Sequence, residues 1–334
     1  MSELMLFDEA KKRAGYKGVL ALRPQIEACV DRLVERGYSN ICWLGIGGTW
    51  ASALQVVVHM KEHSALETWA ENAAEFVATG NRRLNAQTVV VISSVTGSTP
   101  EVIEAIHKVK SCGAYILGFI DKADSELARL VDTCITFDGG EQLKFFMVAD
   151  RFMAHAGEID HYAALYAELD EHLADALIKV EYAADAFAAK FATAHADDDL
   201  HYFIGAGNQW GATYSYAMCY WEEQFWIKTK SITAAEFFHG TLEIITRDTP
   251  VTLYIGEDSQ RALAERVAAF VPRICANLTV IDTRDYELAG ISDEFRGDIS
   301  HLVMHAINDR IDAHLEIATR HPMDIRRYYR CLPY

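Results

Sequence analysis

The sequence predicts an all-parallel α/β protein built from two similar halves, with helical extensions at both ends. Short continuous apolar runs alternate with amphipathic helical segments, which is how strands read when helices cover both faces of a parallel sheet. That alternation stops for a long Ala-rich helical stretch and restarts near His201. The length, 334 residues, is about what two such units require.

Residues 1–38 form a helical lead-in. Its helices are expected to break near Gly15 and Gly18, and Pro24 opens a segment with Ile26, Cys29, Val30 and Leu33 on one face. Strands are expected at 40–46, 66–70, 87–93, 114–120 and 132–137, separated by helices near 50–62, 72–79, 99–110 and 124–130. Residues 144–196 read as one long helical stretch that completes a first domain of 39–196. The second domain, 197–334, offers strands at 201–205, 251–256 and 277–282, and helices near 210–226, 259–271 and 297–316. No residue-level repeat links the halves, only the shared architecture.

Composition excludes several classes of function. A net charge of −17 opposes binding to nucleic acid, which needs a basic face to release counterions. No apolar run approaches a membrane span, and the acidic start MSELMLFDEAKKR lacks the apolar core of a signal peptide, so a cytoplasmic protein is expected. Seven cysteines without a CxxC pair read as reduced packing residues. Any anion site in so acidic a chain must be built from local N–H groups and hydroxyls.

Ligands of doubly wound sheets bind beyond the C-terminal strand ends, so the strand-to-helix turns are where chemistry is sought. Two turns stand out, Gly47-Gly48-Thr49-Trp50 after ICWLGI and Ser94-Val95-Thr96-Gly97-Ser98-Thr99-Pro100 after VVVIS. In the second, hydroxyls at 94, 96, 98 and 99 surround Gly97, Thr99 suits a helix cap and Pro100 the first helical position. Free N–H groups and a helix dipole there favour an anion, although capping alone also accounts for such residues. Neither turn is a Walker or dinucleotide fingerprint, and no nucleotide, metal or other cofactor is called for.

A second constellation is Glu223 in YWEEQFW, followed by Ala235-Glu236-Phe237-Phe238-His239-Gly240. A glutamate in so aromatic a helix is either surface-facing or buried with a raised pKa suited to proton transfer. Taken alone, His239 reads as an ordinary core or surface histidine.

GIGGTW, SSVTGSTPEV, GAGNQWGATYSYA, EFFHG, the following TLEI and the ending HPMDIRRYYRCLPY, in this order, resemble the SIS-domain (sugar isomerase) deglycases of the fructosamine-6-phosphate family. The resemblance spans residues 38–334 and implies two SIS-type, flavodoxin-like doubly wound subdomains. It places Thr49, Ser94, Thr96 and Thr99 on phosphate-binding hydroxyl positions, with Gly48 and Ser98 beside them. It implies Glu223 as general base and His239 as the histidine that assists ring opening and acts as acid. Glu236, Lys144 and Gly207 are implied as further substrate contacts. Val95 departs from the family's polar residue, so its N–H must make any contact there.

The implied reaction cleaves a 6-phosphorylated fructose-amino acid to glucose 6-phosphate and a free amino acid by proton transfer between C1 and C2. The implied assembly is a homodimer or larger oligomer with sites at subunit interfaces. Alternatives are an aldose/ketose phosphate isomerase, an aminating enzyme, or a non-catalytic sugar-phosphate sensor; Glu223 with His239 favours catalysis. Arg326 and Arg327 can face a carboxylate but do not select one amino acid, because the RRY element recurs in relatives with different amino acids.

Overall fold

The computed structural model describes residues 4–332. The first three residues of the lead-in, and Pro333 and Tyr334 of the tail motif, lie outside the described residues. The chain divides into two compact units, one of Lys11–Glu171 and one that begins at His172 and takes in the N-terminal residues up to Ala10.

The first unit holds α1 (Glu9–Leu20, from Lys11 onward), α2 (Arg23–Arg36), β1 (Asn40–Gly45), α3 (Gly48–His63), β2 (Thr68–Asn72), α4 (Ala73–Thr79) and β3 (Thr88–Ser94). It continues with α5 (Pro100–Ser111), β4 (Tyr115–Ile120), α6 (Glu126–Leu130), β5 (Thr133–Ile135), α7 (Glu141–His155) and the start of α8 (Tyr162–His195). Its five strands lie in the order β2-β1-β3-β4-β5, all parallel. Every residue of β1 and β3 is buried, which is why their sequences run apolar without alternation. Cys42, Leu44, Val90 and Ile92 pack on one face with Phe76, Ile106 and Ile116.

Two expectations for this unit are corrected. The lead-in does not break at Gly15 and Gly18, because α1 runs on to Leu20. Gly18 is needed for space: a Cβ there would lie 2.2 Å from the Phe137 ring. The predicted helical stretch 144–196 is two helices, α7 and α8, interrupted at Gly157, whose φ of 71° leaves the right-handed region.

The second unit continues α8 and adds β6 (His201–Gly205), α9 (Asn208–Ser215), β7 (Thr229–Thr233), β8 (Val251–Ile255), α10 (Arg261–Phe270), β9 (Leu278–Asp282) and α11 (Arg296–Thr319). Its four parallel strands lie in the order β7-β6-β8-β9. β7 has no apolar run to announce it. Its sequence TKSIT is half-buried throughout, as suits an edge strand with one neighbour. The core pairs Ile204, Leu253 and Ile255 with Phe237, Val267 and Val271.

Among the described residues, no helix is long and apolar enough to cross a membrane. Cys29, Cys42 and Cys275 are buried and Cys331 is exposed, all as free thiols.

Candidate functional site

In the first unit the chain leaves β1 for β2 on one side and returns for β3 on the other. The crevice beyond β1 and β3 is therefore the topological switch point, the place where such sheets bind ligands. Leu44 lies in register with Ile92, so the two predicted turns emerge side by side. Gly45 permits this crowding: a Cβ on it would lie 2.7 Å from the Trp50 nitrogen. Gly47, at φ 60°, turns the chain so that Gly48, Thr49 and Trp50 open α3, with N–H groups that the helix itself cannot satisfy.

The second turn is shaped by its own hydroxyls. Ser94 is 6% exposed, and its Oγ accepts from the Gly97 nitrogen at 2.9 Å, which leaves the hydroxyl proton to donate to an anion. The Thr96 Oγ1 accepts from the Ser98 nitrogen at 3.4 Å. Gly97 has φ 62°, and a Cβ there would strike the Ser125 hydroxyl. Ser98 is exposed, Thr96 and Thr99 are half-buried, and Val95 projects at 62% exposure. Thr99 takes the N-cap position with Pro100 behind it, but its side chain makes no cap hydrogen bond, so the capping role expected of its hydroxyl is corrected.

Two acidic groups border these turns. The Thr49 hydroxyl donates to Glu141 at 3.1 Å, so a phosphate arriving at Thr49 meets a neighbouring carboxylate. Lys144 does not reach into the crevice. Its side chain is 1% exposed, 3.6 Å from Asp121, and it donates to the Phe137 carbonyl. Burial lowers the Lys144 pKa against the pull of Asp121, and burial raises that of Asp121 against the pull of Lys144.

The second unit's corresponding turn is already filled. The Asp258 carboxylate accepts from the Asn208 nitrogen at 2.7 Å, at the start of α9, and from the Gln260 nitrogen at 2.9 Å. Gly207, at φ 61°, could not carry a Cβ, which would lie 2.2 Å from that carboxylate. The residue expected to touch substrate thus faces the chain's own anion.

Beyond α9 the helix widens into a π-helix, Tyr216–Glu222, whose hydrogen bonds include Glu223 N to Met218 O at 3.0 Å. The helix expected over 210–226 therefore changes type part-way, and within the π segment Tyr216 and Trp221 are buried. Trp221 is fully buried, with ring centroids 4.9 Å from Phe203 and 4.7 Å from His201. π-Turns of this kind are rare and concentrate at functional sites. They leave the two glutamates in different surroundings: Glu222 is exposed and accepts from the Thr229 hydroxyl, while Glu223 is half-buried. Glu223 has a cation for a partner, because Arg326 Nε donates to its Oε1 at 2.8 Å. Their side chains are 26% and 22% exposed.

The tail that carries Arg326 is strapped to Trp226, whose ring lies 4.1 Å from that of His321 and 4.0 Å below the Arg327 guanidinium. Sequence reasoning offered Arg326 to a carboxylate without finding Glu223, since the partners are 103 positions apart.

After β7, a single 3₁₀ turn, Phe237–His239, hangs from the fully buried Phe237. Glu236 and His239 are exposed on it, joined by the His239 N to Glu236 O bond of 2.9 Å. Among the described residues, no side-chain group pairs with either the His239 imidazole or the Glu236 carboxylate.

Among the described residues, His195, Asp198 and His201 form a grouping within one unit that could ligate a cation. Both imidazoles bond to Asp198 Oδ2, at 2.8 and 2.7 Å, and His201 also meets the Thr252 hydroxyl at 2.8 Å. Hydrogen bonds alone account for this arrangement.

Residues 37–151, which contain both hydroxyl-bearing turns, match the family model of the SIS domain. The chain contains an SIS domain. Across the SIS domain and beyond it, the chain is 25% identical over 323 residues to fructosamine deglycase FrlB of Bacillus subtilis, covering 91% of this chain and 95% of that one. It is also 25% identical over 312 residues to fructoselysine 6-phosphate deglycase of Escherichia coli O157:H7, covering 92% and 90%. A Bacillus subtilis crystal structure provisionally described as a phosphosugar isomerase superposes with a TM-score of 0.88 at 25% identity, covering 93% and 97%.

Proposed function

We propose that the protein is a deglycase that converts a 6-phosphorylated fructose-amino acid to glucose 6-phosphate and a free amino acid. The observation that carries this reading is the pairing of two features. One is an SIS switch point with Gly48, Thr49, Ser94, Thr96, Ser98 and Thr99 gathered at two helix N-termini. The other is a half-exposed carboxylate, Glu223, on the same chain as an imidazole, His239, that has no side-chain partner among the described residues. Similarity to two deglycases over nine-tenths of the chain supports the same class.

In this mechanism the hydroxyls and first-turn N–H groups hold the phosphate, as helix N-termini hold anions. His239 assists ring opening by moving a proton at the ring oxygen. Glu223 takes one proton from C1, and the electron pair left behind forms the C1–C2 double bond of an enaminol as O2 gains a proton. Protonation at C2 then leaves a C1–N imine. Water adds at C1 and the C–N bond breaks, releasing the amino acid and glucose 6-phosphate. The substrate brings its own nitrogen, so no protein Schiff base is needed. Acid and base contribute roughly 10²- to 10⁴-fold each.

The test is to incubate the protein with 6-phosphofructose-amino acids and follow glucose 6-phosphate and the C1 proton in deuterium oxide. Release with C1 exchange is expected. Interconversion of fructose and glucose 6-phosphates without amino-acid release would replace this reading by the isomerase one, which the structural likeness to a phosphosugar isomerase favours.

We read the working assembly as a homodimer or larger, with His239 serving a neighbour's substrate. Mixed Glu223→Gln and His239→Ala subunits should then regain part of the activity, and a fully active monomer would exclude it.

A further inference from the structure

We propose that Arg326 is a specificity-determining residue that exchanges carboxylates: paired with Glu223 in the free protein, it transfers to a carboxylate of the substrate and so releases Glu223 as the base. This rests on Glu223 being the group that abstracts the C1 proton.

The argument begins with the covalent structure of the substrate. In a fructosamine made through an α-amino group, the carboxyl carbon is three bonds from C1, by way of the nitrogen and the α-carbon. Three such bonds span no more than roughly 4 Å. A base in position to take the C1 proton is therefore within a few ångströms of that carboxylate. So is whatever cation the base is paired with, and here that cation is Arg326, whose Nε lies 2.8 Å from Glu223 Oε1.

The guanidinium is only partly used. Nε donates to Glu223, and Nη1 donates to the carbonyls of Met323 and Ile325, the latter at 3.1 Å. Nη2 has no protein partner among the described residues. The Nε/Nη2 edge is the fork that matches a carboxylate with two parallel hydrogen bonds, and Glu223 occupies one prong of it. An incoming carboxylate takes both. The pair is about a quarter exposed, so substrate can reach it, while the His321 and Arg327 contacts with Trp226 hold the tail without help from Glu223.

Exchange also answers a chemical difficulty. While Arg326 Nε donates to Oε1 at 2.8 Å, that oxygen is engaged and is not open to accept a proton from C1. A substrate that draws the guanidinium away frees the oxygen only when the correct group is present. The predicted substrate class is therefore fructosamine phosphates with a carboxylate next to the linking nitrogen, whatever the amino-acid side chain. Those linked through a distant amine, such as the ε-nitrogen of lysine, fall outside it.

The experiment compares 6-phosphofructose-glycine with 6-phosphofructose-methylamine, which differ by the carboxylate alone, in the full-length protein and in Arg326→Gln and Arg326→Lys. Charged hydrogen bonds of this kind correspond to about a 10- to 100-fold preference in kcat/KM for the glycine compound. Arg326→Gln should lose most of that preference yet still turn over the methylamine compound, which reports a folded, working site. Arg326→Lys should keep part of the preference. Equal kcat/KM for the two compounds in the unmodified protein, or an undiminished preference in Arg326→Gln, overturns the proposal.

Calorimetric binding of the same compounds separates the two readings if nothing is turned over. Tighter binding of the glycine compound that depends on Arg326 would sustain the carboxylate site while the deglycase reading fails. Indifferent binding would sink the carboxylate site itself.

Discussion

Replacing Glu223 with glutamine tests the mechanism at its narrowest point. The amide oxygen can still accept from Arg326 Nε, now 2.8 Å from Oε1, so the tail should stay in place. Exchanging this part-exposed ion pair for a neutral hydrogen bond costs less than about 1 kcal/mol of stability. What disappears is the proton acceptor, and loss of a general base lowers kcat by roughly 10²- to 10⁴-fold, or about 3 to 5 kcal/mol in the barrier. KM should move little for a phosphofructosamine without a carboxylate beside its nitrogen, because the hydroxyls proposed to hold phosphate are untouched. Glu222→Gln is the matched control. Its carboxylate is exposed and accepts from the Thr229 hydroxyl at the surface, so the change should stay within about 0.5 kcal/mol and leave turnover intact. Steady-state kinetics on a phosphofructosamine, with proton NMR of C1 exchange in deuterium oxide, reads both variants. If Glu223→Gln exchanges the C1 proton at the normal rate while Glu222→Gln does not, the base has been assigned to the wrong glutamate.

Ser94→Ala removes both the acceptor of the Gly97 N–H and a donor to phosphate, and should weaken phosphosugar binding by about 1 to 3 kcal/mol, seen in KM. Thr99→Ala should raise KM similarly without the roughly 1 kcal/mol stability loss of a broken cap, because its side chain makes no cap bond; a thermal melt decides. Glu141→Gln takes away the negative charge beside Thr49 and should tighten binding of inorganic phosphate, with weaker binding by calorimetry refuting the repulsion argument. His201 gives a pH signature. Burial pushes its pKa from 6.5 to about 4 in the folded chain, so between those values the unfolded chain binds a proton that the folded chain does not. Its contribution is complete above pH 6.5 and is lost as pH falls toward 4, on the order of 3 kcal/mol in all, so the urea midpoint should drop across that window and drop less in His201→Gln.

The parts of the fold that sequence pattern revealed are those where burial dictates residue type. β1 and β3 are buried on both faces and read as unbroken apolar runs, and their turns carried hydroxyls and glycines dense enough to single out. β7 went unseen because an edge strand of Thr, Lys, Ser and Ile needs no apolar pattern. The break between α7 and α8 depends on Gly157, and a lone glycine in a helical pattern is as readily a packing residue, as Gly18 in α1 is. At the candidate site, residue types were legible and partners were not. Nothing local to YWEEQFW indicates that Arg326 meets Glu223, and nothing local to GAGNQW indicates that Asp258 fills its turn. Long-range pairing of exposed or half-exposed charges leaves no periodic trace, whereas burial does.

The contrast between a turn closed by Asp258 and a turn lined by hydroxyls bears on how one architecture takes on two tasks. Both units end their first strand at a glycine and open a helix against a switch point, and each such N-terminus presents N–H groups that have no partner within the helix and the positive end of a dipole. In the second unit Asp258 satisfies those groups internally, at 2.7 Å from the Asn208 nitrogen, so an external phosphate there would have to displace a carboxylate already paid for in chain entropy. In the first unit the neighbouring carboxylate, Glu141, accepts from the Thr49 hydroxyl at 3.1 Å, a side chain rather than the backbone of the helix start. We read this difference as directing the proposed phosphate to the hydroxyl-lined turns of the first unit and leaving the second unit's strand ends for different chemistry. That is where the π-helix presents Glu223 and the turn after β7 presents His239. A chain of net charge −17 attracts no phosphate at long range. On this reading, closing one helix start with an internal carboxylate is as much a part of specificity as lining the other with hydroxyls.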